Sequence, residues 1–414
     1  MPASDPASRP YDVVLFGATG FVGRLTARHL AAHAEGPTRI ALAGRSLSRL
    51  AEVRDDLGGA AADWPLIVAD SNDADSLVEL AQQTTVVATT VGPYAKWGLP
   101  LVEACAEAGT HYADLTGEVL FVRDSIDRFH DAAVASGARI VHSCGFDSVP
   151  SDLAVMLAAD QARTAGAAAD PFSQATLVVR SAKGGVSGGT VDSMRTQMQV
   201  MAADPAKARI VSDPYSLSPD RGAEADLGPQ RDVGPPRYDR SLGLWVAPFF
   251  MAPYNTRIVR RSNALLGHAY GRRMRYSEVM GFSSPITGPF LATGLAAGTV
   301  AGAAAMAFGP TRKVLDRVMP SPGEGPDEAT RRNGHFKIEV HGTTAGGRRV
   351  ISTVAAQGDP GYAATAVMLG QSALALALGG TSLPDASGVL TPATGIGQVL
   401  VDRLVARGFD ISVR

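Results

Sequence analysis

Gly17-Ala18-Thr19-Gly20-Phe21-Val22-Gly23 is the most chemically informative run in the sequence, with a glycine at every third position. That G-x-x-G-x-x-G spacing permits a tight turn and lets a pyrophosphate reach the backbone. It also lets a helix pack on the preceding strand, so that the helix N-terminus offers free N–H groups and a partial positive charge. Gly17, Thr19, Gly20, Phe21, Val22 and Gly23 are therefore candidate cofactor-binding residues. Further on, Ala43-Gly44-Arg45-Ser46 has no acid where an NAD enzyme places Asp or Glu for the ribose hydroxyls. A guanidinium with forked donors and permanent charge suits a 2′-phosphate, so Arg45 and Ser46 point to NADP(H). Asp70 is either an adenine neighbour or a helix cap, and Val91-Gly92-Pro93 forms a rigid turn over the nicotinamide half. Tyr94, Lys96, His111 and Tyr112 follow as candidate catalytic hydrogen-bond donors, with roles unassigned.

These residues need strands to end beside one another. Tyr11–Phe16, Thr38–Ala43, Leu66–Ala69, Thr85–Thr89, His111–Asp114 and Arg139–His142 read as short buried strands, with helical stretches between them. Strand–helix alternation of this kind predicts an α/β fold, a Rossmann-type doubly wound parallel sheet whose ligands bind outside the carboxyl ends of the strands. After Pro150 the rhythm changes. Ser173–Ala182 reads as a strand, Val186–Met201 as a helix, and the Pro-, Asp-, Gly- and Arg-rich stretch Asp204–Arg240 as a long surface loop or partly disordered insertion. His335–Thr343 and Arg348–Ala356 alternate like a hairpin around Gly346-Gly347, and Tyr362–Leu378 and Gly395–Arg407 read as helices.

From Val279 to Thr311 there is no charged residue. Phe290–Phe308 is long enough to span a bilayer and lies between Pro289 and Pro310, with Arg272, Arg273 and Arg275 before it and Arg312 and Lys313 after it. Its Ala and Gly content supplies little apolar area, which weighs against a stable span. A buried or dimer-interface helix and a wall against lipid remain open readings. Composition bounds the rest. Lys plus Arg number 38 against 40 Asp plus Glu, net −2, which argues against non-specific nucleic-acid binding. Two cysteines, Cys105 and Cys144, exclude a disulfide scaffold and a cysteine zinc cluster, and no metal site is visible. Cys144 reads as a small buried hydrophobe, and Met1–Pro10 as a frayed tail without a secretion signal, which suits a cytoplasmic setting.

GATGFVG, AGRS, VGPYAKWGLPLVEACAEAGTHYADLTGE and HSCGFDSVPSD together resemble the saccharopine dehydrogenase-like oxidoreductases. GGVSGGT (Gly184–Thr190) and GVLTPATGIG (Gly388–Gly397) are similar to one branch, the trans-acting enoyl reductases of phthiocerol-type lipid assembly. The resemblance implies an NADP-binding Rossmann domain over 1–150, an inserted α/β substrate and dimerisation domain over 151–357, and C-terminal helices over 358–414 that return to the first domain. It further implies NADPH-dependent reduction of a C=C bond in an acyl or polyketide chain on a carrier protein or other thioester. A homodimer and peripheral contact with the inner face of the plasma membrane go with that reading. A saccharopine-type amino-acid or imine dehydrogenase is the alternative. Saccharopine carries three carboxylates and calls for bidentate arginine clamps, and Arg180, Arg195, Arg257, Arg260 and Arg261 are scattered. A non-catalytic Rossmann scaffold at the membrane is the third reading.

Overall fold

Strand lengths and pairing decide the architecture. The computed structural model describes residues 8–164, 170–184, 188–232, 234–307 and 325–414. Phe308, Pro310, Arg312, Lys313 and the middle of the Gly184–Thr190 motif lie outside them. Seven strands, β1 (Tyr11–Phe16), β2 (Ile40–Gly44), β3 (Leu66–Val68), β4 (Thr84–Thr89), β5 (His111–Ala113), β6 (Arg139–Val141) and β13 (Gly388–Leu390), form a parallel sheet in the order β13-β6-β5-β4-β1-β2-β3. The crossovers include α1 (Phe21–His33), α2 (Leu47–Leu57), α3 (Ala74–Gln82), α4 (Tyr94–Trp97), α5 (Leu99–Ala108) and α6 (Val119–Ser136). The order reverses between β1 and β4, so the crevice at their carboxyl ends is the topological switch point where such sheets bind ligands. Far from fraying, Arg9 is buried and donates to the Thr84 carbonyl (2.7 Å), the Thr110 hydroxyl (2.7 Å) and the Ala108 carbonyl (2.6 Å).

α7 (Val149–Thr164) leads to a second sheet, β14-β12-β11-β7-β10-β9-β8. Its strands are β7 (Phe172–Lys183), β8 (Arg237–Asp239), β9 (Leu244–Pro248), β10 (Arg275–Phe282), β11 (His335–Thr344), β12 (Arg349–Gln357) and β14 (Asp410–Val413). β7 and β10 run parallel and the other pairs antiparallel. The helix Thr365–Leu378 returns to the first sheet and packs on α1, β1, β4 and β5. β14 leaves again to pair with β12, so the stretch 358–414 divides between the two sheets.

The stretch 204–240 is not a loose loop. Following α8 (Gly188–Ala203), it forms α9 (Pro205–Ser212), a single helical turn and β8, and arginines of α10 (Ala252–Leu265) hold it down. Arg257 donates to the Val211 carbonyl (2.9 Å) and pairs with Asp232, Arg260 reaches the Pro214 carbonyl (3.4 Å), and Arg261 donates to the Leu217 (2.6 Å) and Val389 carbonyls. Three buried guanidiniums replacing water at backbone carbonyls satisfy groups that composition alone leaves to solvent.

The charge-free run is neither buried nor a strand throughout. β10 takes its first residues, and α11 (Gly288–Ala307) lies along β9 with only Gly288 and Ala292 buried among its described side chains. Phe290 is 77% exposed and Val300 64%, which corrects the buried-core reading for this chain. With apolar residues on every face, the sequence offered no stripe to say which side would be covered.

Candidate active site

The glycine loop is shaped for a phosphate. Gly17 takes φ +87°, and a Cβ there would lie 2.7 Å from Thr90 Oγ1 and 2.8 Å from Val91 Cγ2. A Cβ on Gly23 would lie 2.1 Å from the Gly17 carbonyl oxygen, so that glycine serves helix–strand packing. Gly20 differs. It is exposed, its φ of −73° suits any residue, and a Cβ would find only Gly17 O, at 3.4 Å. It is the N-cap of α1 and no side chain caps that helix, so the first N–H groups of α1 remain open to an anion. Thr19, Phe21 and Val22 flank this opening, and Phe21 is fixed by the Tyr362 ring edge (4.9 Å) and the Arg331 guanidinium (5.2 Å).

Arg45 stands exposed at the end of β2 with no hydrogen bond or ion pair among the described residues. Ser46 caps α2 by accepting from the Arg49 N–H (3.4 Å). Asp70 is not a helix cap. That role on α3 falls to Asp73, while Asp70 accepts from the Asn72 backbone and side chain, both at 3.0 Å. The Asn72 hydrogen bonds and the charge of Arg45 hold its carboxylate below the usual range. Val91-Gly92-Pro93, with a cis Gly92–Pro93 bond, lies against Gly17 across the β1–β4 junction. An open helix N-terminus, an unpaired guanidinium one strand away and glycine where a Cβ would obstruct fit a dinucleotide bearing a 2′-phosphate.

The four sequence candidates for catalysis are not brought together. His111 sits at the start of β5, the end away from the crevice, and its Nδ1 accepts from the Arg139 N–H (3.1 Å). Burial, with the charges of Arg139 and Arg9, lowers its pKa to about 4, so the ring is a neutral structural acceptor. Tyr112 is fully buried with its hydroxyl donated to Asp114 (3.0 Å). The buried Tyr94 donates to the Thr89 carbonyl and accepts from Leu115 N–H, both at 3.1 Å. Burial pushes both phenols up, so they stay protonated and committed to these bonds. Lys96 is exposed on α4.

What the strand ends of β5 and β6 do assemble is a buried network around Asp114. Its carboxylate accepts from His142 Nδ1 (2.7 Å), the Tyr112 hydroxyl, and the N–H groups of Thr116 (3.1 Å) and Ser143 (2.8 Å). His142 Nε2 meets Ser125 Oγ at 2.8 Å. Ser143 holds φ +65°, a left-handed conformation uncommon for a non-glycine residue, and its hydroxyl bonds Tyr254 of α10. Glu118 accepts from the Tyr94 (3.0 Å) and Ala95 (2.8 Å) N–H groups and the Ser193 hydroxyl (2.7 Å), capping α4. Cys144 is buried and its thiol pushed up by burial, in keeping with a packing role. Sequence reasoning placed Asp114 in the right motif and passed over His142, Ser143 and Asp147. For His142 and Ser143 the available signal was position, since they directly follow β6; Asp147, later in the same turn, carried no such signal.

Residues 13–141 match the family model described as the saccharopine dehydrogenase NADP binding domain. A trans-acting enoyl reductase of Mycobacterium bovis is 48% identical over 415 residues, covering 97% of both chains. One of Mycobacterium ulcerans is 47% identical over 416 residues, covering 98% of both. The chain belongs to this saccharopine dehydrogenase-like family. Among solved structures, the apo saccharopine dehydrogenase (L-Glu forming) of Saccharomyces cerevisiae superposes with a TM-score of 0.52 over 97% of this chain and 99% of that one, at 14% identity, a likeness of fold. This saccharopine dehydrogenase-like protein is an NADP-dependent oxidoreductase.

Proposed function

We propose that this protein reduces the C=C bond of an α,β-unsaturated acyl or polyketide chain presented as a thioester on a carrier protein, in the cytoplasm, as one step of complex lipid assembly. The observation that carries the reading is full-length similarity to proteins named trans-acting enoyl reductases, near half of all positions. The arginines support it. Arg257, Arg260 and Arg261 are buried and engaged with carbonyls and Asp232, and Arg180 faces Glu339 (3.8 Å) and Ser283 (3.1 Å). None of these four is free to clamp a substrate with several carboxylates, as the saccharopine-type alternative requires.

NADPH, when bound, supplies the hydride for the β-carbon. The chain's own residues bind and orient it through the α1 N–H groups at the pyrophosphate, Arg45 and Ser46 at the 2′-phosphate, and the Val91–Pro93 turn. Charge developing on the thioester carbonyl oxygen calls for a hydrogen-bond donor, and the α-carbon calls for a proton. The exposed α11 is the contact helix of a homodimer in this proposal, and a lipid surface is the competing cover. Purified protein, tested for NADPH oxidation with a carrier-bound enoyl thioester and with amino-acid/keto-acid pairs, and for NADP⁺ reduction with saccharopine, checks the reading. Consumption with the thioester alone is expected. Reaction with saccharopine or the amino-acid/keto-acid pairs and not with the thioester overturns it, and reaction with none favours a nucleotide-binding scaffold.

A further inference from the structure

We propose that Asp147 is the catalytic acid of this site, delivering the proton that completes reduction at the α-carbon; this rests on the enoyl-reductase reading. Asp147 lies in the turn between β6 and α7, at the carboxyl edge of the first sheet. The turn is fixed on both sides of it. A Cβ on Gly145 would strike Leu115 at 2.7 Å and Thr365 at 3.0 Å, the Phe146 N–H donates to Thr365 Oγ1 (3.0 Å), and Ser148 Oγ donates to Asn255 (3.3 Å).

The other carboxyls of this region are spent. Asp114 accepts four hydrogen bonds and Glu118 three, while Asp152 is held by the Ser262 hydroxyl (2.5 Å) and the Ala393 N–H (2.8 Å). Asp147 alone of the four has no hydrogen-bond or ion-pair partner among the described residues, and the residue as a whole is half-buried. The groups that feel its charge come from three elements. They are Asp114 after β5, Tyr94 of α4 and Tyr254 of α10, two neutral phenols and one anion. Burial and the negative charge of Asp114 push the Asp147 carboxyl up to about 7, where a carboxylic acid still holds its proton at working pH and can give it up.

The step balances without a further reactant. The β-carbon receives the hydride, the α-carbon forms a C–H bond with the carboxyl proton, and Asp147 is left as a carboxylate. Water reprotonates it between turnovers. Tyr94 and Tyr112 cannot serve in the same way, since their hydroxyls are buried and bonded inward.

The test uses the intact protein with Asp147→Asn and Asp147→Glu. Asp147→Asn is expected to bind NADPH as the wild type does and to lose turnover about 10²–10⁴-fold, the usual contribution of a positioned acid. Asp147→Glu is expected to recover part of it. Wild-type turnover is expected to fall as pH rises through about 7, and that limb to vanish in Asp147→Asn. Carbon NMR of aspartate-labelled protein without cofactor, compared with the Asn variant, reads the carboxyl directly, and a midpoint near 7 is expected. A midpoint in the ordinary carboxylate range overturns the proposal. So does an Asn variant that turns over at the wild-type rate, in which case the enoyl-reductase reading survives. A wild type inert toward every enoyl thioester defeats both.

Discussion

Replacing Gly20 by alanine separates cofactor contact from folding, and Gly23→Ala is its control. At Gly20 the new methyl would meet only the Gly17 carbonyl oxygen, at 3.4 Å, and φ −73° needs no adjustment. An alanine N-cap costs a few tenths to about 1 kcal/mol relative to glycine, and the stiffer unfolded chain returns about 0.4–1 kcal/mol. The expected net effect on stability is within about 1 kcal/mol. At Gly23 the methyl would press on backbone, 2.1 Å from Gly17 O and 2.9 Å from Ala18 Cα, neither of which can swing aside. Overpacking of that kind costs about 1–3 kcal/mol or more, so Gly23→Ala is expected to melt lower. For NADPH the ranking changes. A methyl at the α1 N-terminus stands where the pyrophosphate meets free N–H groups, and losing one charged hydrogen bond there costs about 1.5–3 kcal/mol. That weakens NADPH about 10–150-fold, read by fluorescence titration beside a thermal melt of the same sample. A folded Gly20→Ala protein with wild-type NADPH affinity would refute the placement of the pyrophosphate at α1.

Arg45→Ala is expected to weaken NADPH by about 1.5–3 kcal/mol and leave NADH nearly untouched, and equal losses for the two would remove Arg45 from the 2′-phosphate. Glu278, buried and bonded by Tyr276 (2.8 Å) and Asn255 (2.9 Å), is pushed up to about 7 by burial. Its folded pKa exceeds the unfolded 4.5, so its stabilisation is full below that value and is lost as pH rises towards 7. Denaturant titrations should therefore show Glu278→Gln gaining on the wild type across that window by at most about 1.4 kcal/mol per pH unit, and a constant gap contradicts the raised pKa. Gly298 has nothing within 4 Å of an added Cβ. Gly298→Leu should keep the melting temperature and NADPH affinity while light scattering shows the dimer lost. An intact dimer with full turnover leaves that face idle, and release from membranes only by detergent makes lipid its cover.

Much of the first sheet was legible because its strands are apolar runs ended by glycine turns, as in Tyr11–Phe16 before Gly17. The edge strands near the C-terminus, one in each sheet, were less so. β13 and β14 have three and four residues, too few for a periodic signal, and they exist only by pairing with β6 and β12. The polar stretch 204–240 misled for a related reason, since the arginines that order it come from α10, later in the chain. At the proposed site, the glycine loop and Arg45 could be put forward from local spacing alone. His111 needed a direction as well. A strand advances about 3.3 Å per residue, so His111 and Asp114 stand about 10 Å apart along β5, and only the latter reaches the crevice. Asp147 carried no periodicity at all. It stands out only once its neighbours' hydrogen bonds are known.

The central claim is hydride transfer from NADPH to the β-carbon of a thioester-bound chain. NADPH deuterated at its transferring carbon, incubated with the protein and a carrier-bound enoyl thioester, tests this in one measurement by mass spectrometry and NMR of the released acyl product. The account predicts a saturated chain carrying one deuterium, on the β-carbon. An unreduced chain, or deuterium found instead on the carbon of an imine-derived amine when amino-acid/keto-acid pairs are supplied, would contradict it.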